Sequence, residues 1–451
     1  MCGSLLPLVL SAAAAQAGTS SVTSDGNFAR SPLTFTLDSR VGYDDNTLDD
    51  PDRVELVLPN RRVRLNTRGP QGSVFFNEQL SLAFSGGSSR YSLTLGATAG
   101  ASFYVDRPGR DYDPNFGLNV RFAYKLTPRA TFEASTFNVY QAEPDFGVVN
   151  GQTRRNGDYY YSANRFALTY RWTPLFSTVS AYEPNFYIYR QEPYSTFQDR
   201  IEQYLSQQFR FLVLPSLTVV GEYRFSYISY FSTNTDSYSH FVLGGLDYSA
   251  SPRLKLSLRA GAEFRTFTDS STTQGVAPVV VQNLDGTFST VNQVVFTQGR
   301  NHESSPYAEA TAAYDLSRRS NLALTLRYGI EQGDSTQPDG TRDTFRLGFT
   351  YNQAITPRIS GYLAFFYQHS NYLNGDTVDA FGRVFSNDYN ENVYDVSVGL
   401  RYAINRHFSA EVGYSHTTVD SDYRALQGAG FIEGLRDYDR NRAFAGLRVS
   451  F

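Results

Sequence analysis

Ala443-Phe444-Ala445-Gly446-Leu447-Arg448-Val449-Ser450-Phe451 closes the sequence, and its residues alternate strictly. In an extended chain Ala443, Ala445, Leu447, Val449 and Phe451 share one face, while Phe444, Gly446, Arg448 and Ser450 share the other. One face carries no charge and the other carries an arginine, which is the signature of a strand with an apolar solvent on one side and water on the other.

The same period of two recurs in segments of about ten residues, the length a tilted strand needs to cross a bilayer. Leu33, Phe35, Leu37, Val41 and Tyr43 alternate with Thr34, Thr36, Asp38, Arg40 and Gly42. Leu254, Leu256, Leu258, Ala260, Ala262 and Phe264 interleave with Lys255, Arg259, Glu263 and Arg265. Tyr91 to Phe103, Phe345 to Tyr351 and Phe408 to Tyr414 repeat the pattern. Shifting Leu254 to Thr266 by one residue would put its four charged side chains into lipid, at roughly 2–4 kcal/mol for each Arg or Lys near the midplane. That register is excluded. Glu78 is the awkward residue, because it shares the parity of Leu80, Leu82 and Phe84. Its expected place is above the membrane edge, with a bulge as the alternative.

Connections alternate between short and long. Thr127-Pro128-Arg129, Thr173-Pro174-Leu175, Leu214-Pro215-Ser216, Ser251-Pro252-Arg253, Ser317-Arg318-Arg319, Thr356-Pro357-Arg358 and Asn405-Arg406 read as tight turns, where Pro presets one dihedral. Long polar segments, among them 44–73, 141–158, 268–304, 369–390 and 417–439, separate them. The expected fold is therefore all-β: a transmembrane antiparallel up-and-down barrel of about 18 strands, with 16 or 20 as alternatives, short periplasmic turns and long extracellular loops. Twenty would require Val279–Gln282 and Val291–Thr297 to form a membrane hairpin; their poorer alternation favours an extension of a loop.

Composition agrees. Aromatic residues reach 15% with only 41% hydrophobic content, which suits a narrow lipid face around a polar interior. The net charge of −4 excludes a nucleic-acid partner of the usual basic kind. Leu5 to Ala15 is a short apolar run followed by Ala15-Gln16-Ala17, so residues 1–17 are expected to be a signal peptide cleaved after Ala17. No Lys or Arg precedes the run, which places the expected true start upstream of Met1. Cys2 leaves with the signal, so neither disulfides nor thiolate chemistry is expected. Residues 18–31 then form a short periplasmic segment, too small for a globular plug, and 32–451 the barrel.

Two short motifs carry a resemblance. The aromatic C-terminus at Phe451 resembles the signal read by the barrel-assembly machinery of the outer membrane. Val41-Gly42-Tyr43-Asp44-Asp45-Asn46, the Thr-Pro-Arg turns and that C-terminus together resemble the bacterial outer-membrane family called β-barrel porin 2. The resemblance covers essentially the whole mature chain and implies a channel-like barrel embedded in lipid and lipopolysaccharide, in a family often associated with exopolysaccharide gene clusters. It brings no catalytic residue with it.

Parity places Arg40, Arg121, Lys125, Arg165, Arg171, Arg200, Arg210, Arg224, Lys255, Arg259, Arg265, Arg327, Arg346, Arg401 and Arg448 inside. With them go Asp38, Glu133, Glu202, Glu222, Asp247, Glu263, Glu309, Asp315, Glu331, Asp395 and Glu411. Mixed charge around a wet bore screens solutes by size and charge; the blander reading is that the charges pair with one another and fix the register. The basic excess leans faintly toward anions. Asp44, Asp45, Asp49, Asp50 and Asp52, with Asp420, Asp422, Asp437 and Asp439, lack metal-loop spacing and read as solvated loops, so no metal or cofactor is expected. His240, His302, His369 and His416 fall near the extracellular rim without a nucleophile or metal motif, so no enzyme is expected. Tyr43, Tyr104, Tyr124, Tyr170, Trp172, Tyr248, Tyr351, Tyr402 and Tyr414 read as interfacial girdles. The expected function is a passive pore for small hydrophilic solutes, with polysaccharide export and a structural or adhesive barrel as alternatives.

Overall fold

The computed structural model describes residues 33–58, 61–65, 69–141, 158–190, 198–232, 236–268, 273–282, 288–297, 302–332, 341–373, 376–378, 384–386, 388–427 and 430–451. The expected signal peptide and the segment 18–31 lie outside them.

Period-two strands joined by tight turns pair with their chain neighbours, and eighteen of them close a sheet with no free edge. In chain order the barrel strands are β1 (Leu33–Asp44), β2 (Ser73–Gly87), β3 (Tyr91–Tyr104), β4 (Tyr112–Lys125), β5 (Ala130–Gln141) and β6 (Tyr159–Arg171). There follow β7 (Phe176–Tyr189), β8 (Arg200–Leu214), β9 (Leu217–Tyr230), β10 (Ser237–Ser251), β11 (Leu254–Phe267) and β12 (His302–Ser317). The last six are β13 (Ser320–Gln332), β14 (Thr341–Ala354), β15 (Ile359–Leu373), β16 (Tyr389–Ala403), β17 (Phe408–Ser421) and β18 (Tyr438–Ser450). Strand β18 returns to β1 in an unbroken antiparallel register from Thr36↔Ser450 to Asp44↔Arg442. Phe451 continues that ladder through its backbone, exchanging bonds of 2.9 and 3.1 Å with Phe35.

The expected loop extension forms a sheet separate from that of the barrel: Thr273–Gln282 pairs with Phe288–Thr297, and that hairpin joins the short strands Asp376–Val378 and Val384–Ser386. A second small sheet joins Glu55–Leu58 and Arg61–Arg64, from the loop after β1, to Arg424–Gln427 and Gly430–Glu433, from the loop before β18. It bridges the seam where the two ends of the chain meet.

The outer face shows what surrounds the barrel. Leu37, Val41, Leu80, Phe116, Phe209, Val242, Leu258, Val412 and Leu447 stand exposed there, each alternating with an inward polar or small residue. Apolar surface wrapped around a closed barrel is stable only in lipid; the chain is an integral outer-membrane β-barrel. Leu258→Arg, near mid-height on β11, is expected to cost about 2–4 kcal/mol in urea unfolding from lipid vesicles. Thr94→Arg, on the exposed inner side of β3, is expected to cost no more than about 0.5 kcal/mol.

Two residues depart from expectation. Glu78 does not lie above the membrane edge, because Val74 and Phe76 follow it toward the extracellular end on the same outer face. The ladder around it is regular, without a bulge, and the Ser39 hydroxyl directly opposite donates to its carboxylate. Tyr104 is no girdle residue: it shares the inward parity of Ser102 and is buried against Phe75, with the Arg107 guanidinium 4.1 Å from its ring centroid.

Candidate functional site: the bore and its extracellular rim

At the extracellular end of the seam, the Asp44-Asp45-Asn46 stretch that reads in sequence as solvated loop is buried or bonded instead. Asp44 is fully buried, accepts from Arg440 Nη2 at 2.5 Å and Nε at 3.1 Å, and lies 3.2 Å from Arg442 Nε. Asp45 accepts from both the backbone and the side-chain amide of Asn441. Asn46, also fully buried, donates to the carbonyls of Asp50 (2.9 Å) and Asp439 (3.0 Å). The motif ties the first barrel strand to the last, a job its neighbours in sequence do not reveal.

A second rim network holds the 105–111 loop. Asp158 accepts two bonds from Arg110, at 2.5 and 2.7 Å, and one from the Tyr140 hydroxyl at 2.9 Å. Burial alone would raise the Asp158 carboxyl, but the bonds from Arg110 and Tyr140, with the charges of Arg110 and Arg190, hold it below its ordinary 3.8. A carboxylate depressed in the folded state contributes stability that is complete above its unfolded value and is lost as pH falls through the lower folded value. The thermal midpoint of the wild type is therefore expected to exceed that of Asp158→Asn by a constant margin above pH ~4, the ordinary range. The gap should close at lower pH; a gap that persists unchanged to pH ~2 contradicts this assignment.

The charged residues read as inward by parity share the face of the strands opposite the exposed apolar side chains, and contacts that skip strands join several of them. Arg210 of β8 reaches Asp247 of β10 at 2.6 Å, Arg224 of β9 reaches the Tyr307 hydroxyl of β12 at 3.1 Å, and Arg40 of β1 reaches Glu411 of β17 at 2.5 Å. Arg448 pairs with Asp38, Arg401 with Glu411 at 3.2 Å, and Arg165 with Glu183 at 2.8 Å and Glu133 at 4.0 Å.

The two sides of the bore differ. Along β8 to β14 the inner face is a packed ion-pair wall. Arg259 bonds Asp247 at 2.9 Å, Arg224 bonds Glu222 at 2.8 Å and Arg265 bonds Glu263 at 2.8 Å. Arg200 bonds Glu202 at 2.8 Å and lies over the Tyr187 ring. Glu331 is the carboxylate for three guanidiniums, taking Arg346 in a short contact, Arg342 at 3.7 Å and Arg327 at 3.9 Å. Arg346 is buried, and its Nη1 has no hydrogen-bond partner among the described residues.

Along β2 to β4 the inner face is small and open. Ala83, Ser85, Ser92, Thr94, Asn119, Arg121 and Lys125 are exposed, although they point away from lipid. A methyl group added at Gly96 would meet nothing within 4 Å. Arg121 makes no ion pair among the described residues, and Lys125 donates only to the Ser89 carbonyl at 2.9 Å. Arg171 is likewise exposed at the end of β6. At the periplasmic mouth a cavity of about 450 Å³ is bounded by Arg40, Tyr362, Arg401, Glu411 and the turns at Arg253 and Arg319.

Sequence reasoning missed the extracellular mouth. Tyr159, Tyr161, Tyr187 and Tyr189 pack with Val139 on the inner face of β5 to β7. On the far side Tyr372 stacks on Tyr389 at 4.2 Å, next to the cluster of Phe366, Val393, Val419 and Tyr438. The signal was present, since Tyr159 and Tyr161 share the parity of Arg165 and Arg171. Three of the four rim histidines bond to neighbours, His240 with Tyr223 at 2.7 Å, His369 with Asn392 at 2.9 Å and His416 with Asn441 at 2.8 Å, while His302 is exposed opposite Thr266. Among the described residues no group of His, Cys, Asp and Glu is arranged to hold a metal.

No family model matches the sequence, and no curated protein does. Among solved structures the chain is similar to OpdK of Pseudomonas aeruginosa, crystallised with vanillate, at 10% identity, covering 93% of this chain and 99% of that one, with a TM-score of 0.40. It is also similar to the siderophore receptor PirA from Acinetobacter baumannii, at 8% identity over 93% and 80% of the two chains and a TM-score of 0.39. OccAB4 of Acinetobacter baumannii matches at 10% identity, over 93% and 99%, with a TM-score of 0.38.

Proposed function

We propose that this barrel is a porin-like channel through which small hydrophilic solutes diffuse, and that it performs no covalent chemistry. The observation that carries the reading is the exposed inner wall of β2 to β4, lined by Ser, Thr, Gly and two cations beside a wall that is packed with ion pairs. Barrels of this strand number leave an aqueous bore unless something fills it. Arg121, Lys125 and Arg171 would meet the solute directly, while the paired charges of β8 to β14 and of the seam set the transverse field. On this reading residues 1–17 are the export signal, and Phe451 is the residue offered to the assembly machinery. Membership of the β-barrel porin 2 family would fit the motif at Val41–Asn46, whose bonds close the seam.

A second reading, passage of a polysaccharide, rests on the resemblance to the β-barrel porin 2 family, because the Tyr159, Tyr161, Tyr187 and Tyr189 rings inside the extracellular mouth are buried against one another and offer a sugar no stacking face. Single-channel recording of the purified protein in planar bilayers, with reversal potentials under a salt gradient, separates the two. Stable open steps are expected for diffusion, whereas a folded but electrically silent barrel would overturn it and favour export or a structural role.

A further inference from the structure

Besides the Ser39–Glu78 pair, the lipid-facing surface carries a cluster of neutral polar side chains on β5 to β8. Thr136 of β5, Asn164 of β6, Pro184 of β7 and Gln203 of β8 occupy one row of the sheet, all facing outward, with Asn138 and Ser162 paired in the row above. Pro184 interrupts the β6–β7 ladder at that row, and Asn164 Nδ2 donates to its carbonyl at 3.0 Å. Tyr170 and Phe176 face outward toward the periplasmic end, and Tyr140 and Tyr160 toward the extracellular end. Asn164 stands six residues from Tyr170 and four from Tyr160. At ~3.3 Å per residue and a tilt near 40°, it lies roughly 15 Å above one girdle and 10 Å below the other, inside the hydrocarbon.

Amides at that depth are costly unless bonded. Local bonds satisfy part of the set: Asn138 Nδ2 to Thr136 at 2.7 Å, Asn164 Nδ2 to Ser162 at 2.9 Å, and the Tyr182 hydroxyl to Gln203 Oε1 at 2.9 Å. Left over, among the described residues, are a donor at Gln203 Nε2 and an acceptor at Asn164 Oδ1, on either side of Pro184.

We infer that this stripe is a contact surface for a second copy of the chain, related by a two-fold axis along the membrane normal that passes close to Pro184. Two features select that occupant. Copies inserted with the same polarity present the same residues at the same depth, so a stripe confined to one depth meets its own counterpart. A two-fold also exchanges the flanks, turning the donor flank at Gln203 of one copy toward the acceptor flank at Asn164 of the other, and the neutral amides meet without like-charge repulsion.

The test is oxidative cross-linking in native membranes with Cys2 replaced by Ser. Pro184→Cys is expected to give a disulfide-linked species of twice the monomer mass, while Leu363→Cys, outward on β15, gives none. In parallel, native mass spectrometry of the detergent-extracted protein is expected to show a dimer, and Asn164→Leu with Gln203→Leu a monomer that keeps the heat-modifiable gel mobility of a folded barrel. A wild type that is monomeric and fails to cross-link at Pro184→Cys overturns the inference. Capture of a different protein at Pro184→Cys does so equally, because the occupant would then not be a second copy.

Discussion

Asp44→Ala is expected to lose about 3–5 kcal/mol of barrel stability, the range for breaking a buried ion pair by removing one partner. The carboxylate is fully buried and collects Arg440, Arg442 and the backbone N–H of Asn46 at 3.1 Å. Truncation leaves the Arg440 guanidinium buried with only part of its acceptor set, Asp49 at 3.2 Å among it. The position magnifies the loss, because this is the extracellular end of the barrel's one pairing between strands that do not follow one another along the chain. Urea unfolding from vesicles, read by heat-modifiable mobility, measures it. The double variant Asp44→Leu with Arg440→Met is expected to recover much of the loss, since apolar residues of similar volume replace a buried pair at little cost. A loss below about 1 kcal/mol for Asp44→Ala would remove the seam role assigned to this motif.

The barrel itself was legible because lipid punishes mistakes: a one-residue slip of β11 exposes Lys255, Arg259, Glu263 and Arg265, so alternation could be read in only one way. The same physics made the inner charges readable residue by residue. Their partners were not. Whether Arg224 meets Glu309, or Arg40 meets Glu411 371 positions away, depends on the stagger between strands, which period two does not encode. The acidic stretch after β1 misled for a related reason: Asp44 looks solvated beside its sequence neighbours, and the arginine that buries it lies 396 residues on. Glu78 failed differently, since the rule that excludes charge from the outer face has no term for a serine hydroxyl standing opposite. Tyr104 was grouped by residue type and strand end, although its parity with Ser102 pointed inward.

Glu331→Gln is expected to change both the fold's stability and what the bore admits. The glutamine keeps the shape but removes the carboxylate charge that Arg327, Arg342 and Arg346 share, and Arg346 is held also by Gln368 at 3.0 Å. A unit charge about 4 Å from a permeating ion in water is worth about 1 kcal/mol, or roughly five-fold in the ratio of anion to cation permeability. The reversal potential under a salt gradient should therefore move toward the anion limit, alongside an unfolding cost of up to about 3–5 kcal/mol from the three cations left facing one another. Arg121→Glu on the open wall is the counterpart: exposed and without an ion pair among the described residues, it should move selectivity the other way by a similar factor and change stability by no more than about 0.5 kcal/mol. If Arg121→Glu shifts the potential and Glu331→Gln only destabilises, solutes travel along β2 to β4 and the arginine cluster serves the wall. If neither moves it, the bore does not conduct through either wall, and the diffusion reading falls with them.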